Sequence, residues 1–113
     1  DFVYVHVEAP DECGHRGEIE NKVYSIEKIS EEILRPVYGY LRECGEDFKI
    51  MVLPDHPTPL EIRTHSSEPV PYFIYDSRRE QDGVQCFTEE NCAAVNNYLP
   101  NGYELLGRMI EKN

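Results

Sequence analysis

Tryptophan is absent from these 113 residues, and basic side chains are scarce. Eleven Lys and Arg stand against 22 Asp and Glu, a formal net charge of −11 at pH 7. A surface of that sign repels phosphate backbones and anionic headgroups, so no nucleic-acid partner and no membrane partner is expected. Long hydrophobic runs are missing too: nothing approaches the roughly 20 apolar residues of a membrane-spanning helix. The opening Asp1-Phe2-Val3 has no basic region of the secretory type. Cysteines are few and scattered. Cys13, Cys44, Cys86 and Cys92 include no CxxC pair, which excludes zinc-ribbon and thioredoxin-like motifs. The composition is not that of a disulfide scaffold, so reduced thiols and a cytoplasmic location are expected. The length allows one modest core and not two domains.

Phe2 to Val7 is dense in β-branched and aromatic residues with little alternation. It reads as a strand covered on both faces. A chain rarely begins inside its own core, so a piece of a longer protein is expected. Pro10 stops this strand, and Asp11 to Gly17 reads as a polar loop broken by Gly14 and Gly17. From Glu18 to Cys44 the period changes. Ile19, Val23, Ile26, Ile29, Ile33, Val37 and Leu41 recur at steps of three or four, the pattern of an amphipathic helix. Pro36 predicts a kink or break in it, and Gly45 its end.

Phe48 to Leu53 reads as a second strand and Val70 to Tyr75 as a third. Between them lie a rigid loop rich in proline (Pro54, Pro57, Pro59) and a short extended piece, Leu60 to Arg63. Asp76 to Gly83 is charged and predicts a surface loop. Thr88 predicts a helix cap, Asn101-Gly102 a turn, and Tyr103 to Lys112 a final helix with Leu105, Leu106, Met109 and Ile110 facing inward. The order of elements favours an α/β layered sheet.

The chemistry-bearing residues gather near predicted strand ends. Asp11 and His15 follow the first strand, Asp55-His56 the second, and His65 precedes the third. In parallel α/β sheets, sites collect at the carboxyl ends of strands. Carboxylate and imidazole together suit zinc, manganese, iron or cobalt. Taken singly, each pair is equally a turn residue beside a surface imidazole. His6, inside the first strand, reads as a hydrogen-bonded core residue. Cys13, between Asp11 and His15, is a weaker candidate ligand. Thr58, Ser66 and Ser67 read as loop hydroxyls, and Arg63 as a candidate phosphate contact.

Three stretches taken together carry more: DFVYVHVEAPDECGH (1–15), LPDHPTP (53–59) and RTHSSEPVPYFIY (63–75). With the tail segments FTEENCAA and GYELLGRMI, they resemble the C-terminal part of archaeal-type cofactor-independent phosphoglycerate mutases, within the alkaline phosphatase superfamily. The resemblance runs over nearly the whole chain. It implies an α/β fold: residues 1–113 as a fragment of an alkaline-phosphatase-like layered sheet with flanking helices, the C-terminal part of a metal-dependent phosphomutase catalytic domain. It also implies two divalent metal ions, manganese or zinc, with magnesium or cobalt as alternatives. By position, Asp11, His15 and His65 match the ligands of one ion, and Asp55 and His56 two ligands of the other.

The family completes the second site with an aspartate and a nucleophilic serine from an N-terminal part, for which no stretch here is a match. The arginine-rich substrate-binding insert has no match either. The parent is therefore expected to interconvert 2-phosphoglycerate and 3-phosphoglycerate through a phosphoserine intermediate. Its partners would be that substrate and the N-terminal part of the same chain. This chain alone is expected to be inactive and to self-associate. Two other readings stand beside it: another phosphatase or phosphomutase of the superfamily, and a non-catalytic stand-alone interaction module.

Overall fold

The structure is a computed structural model that describes residues 2–80, 83, 86–95 and 97–110. It divides into two compact units: residues 1–45 with 56–68, and residues 46–55 with 69–113.

In the first unit, α1 (Ala9–Arg16) and α2 (Ile19–Lys28) pack on each other. The predicted loop at Asp11 to Gly17 is a helix instead. Pro10 lies in its first turn, where a missing N–H costs nothing, and Asp11 and Glu12 place negative charge at the positive end of the helix. Gly17 ends it in the left-handed region, at φ 68°. The glycines that argued for a loop are thus an interior small residue and a helix stop.

Helix α2 continues through a π-helical stretch, Ile29–Leu34, into α3 (Arg35–Cys44). The predicted Pro36 irregularity appears as this π turn. Pro36 has no N–H to donate to the preceding turn, and Arg35 N–H reaches back to the Ser30 carbonyl. Gly45, at φ 73°, ends α3 as expected. Residues 56–68 form an irregular loop in the same unit. Leu60 to Arg63 is a turn and not an extended piece: the N–H groups of Ile62 and Arg63 both donate to the Pro59 carbonyl. Ser66 N–H closes the loop on the Pro57 carbonyl at 3.2 Å.

Phe2 to Val7 forms no strand. It is irregular and exposed, Val3 at 81%. A strand needs neighbours for its N–H and C=O groups, and none pairs with it among the described residues. His6 is correspondingly exposed and not a core residue; its ring stacks on Tyr4.

In the second unit, β1 (Lys49–Val52) pairs antiparallel with β2 (Phe73–Asp76), Lys49 opposite Asp76 and Val52 opposite Phe73. Both strands are shorter than predicted, and the observed pair is antiparallel, so the parallel-sheet argument for the site finds no support in it. Ser77 N–H extends the ladder to the Phe48 carbonyl, and Ser77 Oγ accepts from Phe48 N–H. α4 (Glu89–Val95) starts at the predicted cap, Asn91 N–H donating to Thr88 Oγ1 at 3.1 Å. A 3₁₀ turn, Gly102–Glu104, leads into α5 (Leu105–Ile110), which packs on β1. Leu105 is buried and Met109 half-buried, while Leu106 and Ile110 are exposed. Residues 111 and 112 of the predicted helix, and 81 and 82 of the predicted loop, lie outside the described residues. The architecture is mixed helix with a small two-stranded sheet, consistent with an α/β fragment. Among the described residues, no helix is long and apolar enough to cross a membrane.

Candidate metal centre

The first unit brings three of the predicted ligands together. Helix α1 holds Asp11 and His15 four residues apart, on one face. The closed loop delivers His65 to the same face. One ligand atom from each of Asp11, His15 and His65 lies within 4.8 Å of the others. His65 Nε2 is 3.1 Å from Asp11 Oδ1 and 3.1 Å from His15 Nε2, while His15 Nε2 is 3.3 Å from Asp11 Oδ2. The group is open to solvent, His15 and His65 being exposed and Asp11 half-buried.

The donor chemistry suits a divalent cation. His15 Nδ1 faces the Arg63 carbonyl at 3.0 Å. A carbonyl only accepts, so that nitrogen carries the proton. The lone pair of the neutral ring therefore sits on Nε2, the atom turned toward Asp11 and His65. This is the arrangement by which metal-binding imidazoles are oriented. Arg63 itself adopts a left-handed backbone, φ 54°, and its guanidinium lies over Gly17, where a Cβ would meet Nε at 2.5 Å. The sequence drew attention to the Arg63 side chain; its carbonyl is the group that touches the site.

His56 stands beside the three. Its ring packs on His65 with centroids 3.5 Å apart, and its Nδ1 is 4.0 Å from Asp11 Oδ1. That Nδ1 also faces Pro57 O and Thr58 Oγ1, each at 3.3 Å. Asp55 falls in the second unit. Cys13, the weaker candidate, is buried and lines a groove with Val7, Tyr24 and Ile29. It is a free thiol, as are Cys44, Cys86 and Cys92.

Thr58, read from sequence as a loop hydroxyl, is among the most buried of the described residues, at 6% exposed. Its Oγ1 donates to Asp11 Oδ1 at 2.6 Å. That bond holds the Asp11 carboxyl below the usual carboxylate range; partial burial opposes the shift, and the facing imidazoles of His15, His65 and His56 add to it. Two further residues escaped sequence reasoning. Lys22 of α2 donates to the Thr58 carbonyl at 2.7 Å. Gly14 lies so close to the loop that a Cβ there would meet the Thr58 oxygen at 2.6 Å. The available signal was the Pro-Asp-Glu opening of a helix, which puts Asp11, Gly14 and His15 on one face.

Residues 1–99 match the model of the metalloenzyme superfamily. The chain is 42% identical over 112 residues to a 2,3-bisphosphoglycerate-independent phosphoglycerate mutase of Methanosarcina mazei, covering 98% of this chain and 28% of that protein. It is 34% identical over 113 residues to a probable enzyme of the same name from Geobacter sulfurreducens, again covering 28% of the relative. Over 89 residues, 79% of the chain, it is 46% identical to 2,3-bisphosphoglycerate-independent phosphoglycerate mutase 2 of Methanothermobacter thermautotrophicus. The chain thus spans little more than a quarter of the length of the first two relatives, 28% in each case. No solved structure matches.

Proposed function

The chain belongs to the metalloenzyme superfamily, and from that premise we propose that it is the C-terminal part of a metal-dependent phosphoglycerate mutase catalytic domain. The whole protein would interconvert 2-phosphoglycerate and 3-phosphoglycerate, a step of glycolysis and gluconeogenesis. Asp11, His15 and His65 would hold one divalent ion. Asp55 and His56 would contribute to a second, completed by an aspartate and a nucleophilic serine from the part of the relatives' length that this chain does not span. Manganese or zinc fits the donors, with cobalt and magnesium as alternatives. Two bound cations would keep a serine oxygen deprotonated and screen the phosphoryl oxygens. In this reading the chain alone is inactive, and free thiols fit the reducing cytoplasm.

The observation that carries the proposal is the convergence of Asp11, His15 and His65, with the His15 tautomer set by the Arg63 carbonyl. The test starts from the native polypeptide, captured from source cells with an antibody raised against this chain. It is assayed with 3-phosphoglycerate before and after chelation. Activity that disappears with chelator and returns with manganese supports the reading. A preparation that leaves phosphoglycerate unchanged but hydrolyses a generic phosphate ester would replace the mutase with a phosphatase.

A further inference from the structure

We propose that Thr58 is a positioning residue for the metal centre: its hydroxyl fixes the Asp11 carboxylate, and Lys22 and Gly14 hold Thr58 in place through its carbonyl and its methyl. The inference rests on the metal-binding reading of Asp11, His15 and His65 and adds a residue outside that ligand set.

A half-exposed aspartate on a helix turns readily about its last torsion, which exchanges its two oxygens. Here they have separate tasks. Oδ1 takes the Thr58 hydroxyl at 2.6 Å and faces His65 at 3.1 Å; Oδ2 faces His15 at 3.3 Å. The short bond to a charged acceptor is the strong one. It commits the single Thr58 proton to Asp11, because His56 Nδ1 lies farther away, at 3.3 Å. His56 Nδ1 is then the donor toward Thr58 Oγ1 and the Pro57 carbonyl, which leaves the lone pair of a neutral His56 ring on Nε2. One hydroxyl thereby orders a carboxylate and serves as a second acceptor, beside the Pro57 carbonyl, for the His56 ring.

Thr58 is itself held on two sides, at its methyl and at its carbonyl. Threonine is stiff about its first side-chain torsion. Its methyl carbon sits 2.8 Å from where a Gly14 Cβ would be, so the bare Cα of α1 makes its seat. Its carbonyl accepts from Lys22 Nζ of α2 at 2.7 Å. The ammonium thus ties the loop to the helix pair that carries the ligands.

The experiment compares cobalt(II) binding by the 113-residue chain and by Thr58→Val and Thr58→Ser, with far-UV circular dichroism of each. Valine keeps the shape and loses the hydroxyl; serine does the reverse. We expect Thr58→Val to bind cobalt about 10–100-fold more weakly, the usual loss when a group that orients a ligand is removed. Thr58→Ser, which keeps the hydroxyl but loses the methyl seated over Gly14, should fall much less than Thr58→Val. In histidine ¹⁵N spectra the His56 tautomer should stay set by the Pro57 carbonyl in both variants, while its Nδ1 shift should change in Thr58→Val alone, where one of its two acceptors is lost. Binding by Thr58→Val as tight as the parent's overturns the proposal, as does weakening by Thr58→Ser equal to or greater than that by Thr58→Val, the order a packing role for the methyl would produce. If the unsubstituted chain takes up no cobalt, the ligand reading falls and this inference with it.

Discussion

Single side chains decide the site. Asp11, His15, His56 and His65 were legible as residue types, because the chain has only four histidines and three of them stand near predicted strand ends, two with an aspartate close by in sequence. What could not be read was the company they keep. Nothing in the residue string tells that a carbonyl at Arg63 turns back onto His15, or that Lys22 reaches Thr58 across the loop. Such contacts depend on a positive φ and on a fold closing over many residues. A second local device lies in the other unit. Arg78 donates to Asp76 through both its side chain and its backbone N–H, which lowers the Asp76 carboxyl to about 2. A carboxyl depressed in the folded state stabilises it above the unfolded value near 3.8 and stops doing so as pH falls through about 2. Asp76→Asn should therefore melt lower than the parent at pH 7, and the gap should close in thermal scans as pH falls from about 4 to about 2. A gap independent of pH would show that the ion pair contributes nothing.

Elements were legible where pattern and caps agree. The long apolar period from Ile19 onward, the stop at Gly45 and the Thr88 cap are all found in the structure. Two misreadings have physical causes. Gly14 and Gly17 looked like loop breakers, yet Pro10 in the first turn and Gly17 at the end are how a short helix is bounded. Phe2 to Val7 has strand composition, but β-propensity expresses itself only where a neighbouring strand supplies hydrogen bonds. Pro36 gives a test at this scale. Restoring an N–H with Pro36→Ala should let the π turn relax toward regular α-helix, raising helical ellipticity and adding up to about 3 kcal/mol of stability. Unchanged ellipticity would mean that the π turn has another cause.

For the molecule as a whole, the described residues bury little: Cys13, Gly14 and Thr58 in the first unit and Leu105 in the second are the only buried ones among them. Phe2, Val3, Tyr4 and Val5 are exposed on a segment with unpaired strand character, as are Ile19, Val23 and Ile26 on α2. Such surfaces associate. The charge of −11 opposes that association, and salt screens it. Sedimentation should show a weight-average mass that rises with concentration, and rises further in added salt. A strict monomer at high concentration and high salt would favour a stand-alone module over a part of a larger domain.

The central claim is that Asp11, His15 and His65 form a cation site within this chain, and metal titration tests it most directly. Chelator-treated protein, titrated with manganese or zinc by calorimetry, should bind tightly at this site, and His15→Ala and His65→Ala should each weaken that binding by an order of magnitude or more. Binding in both variants as tight as in the unsubstituted chain, or none in the unsubstituted chain, would contradict the account.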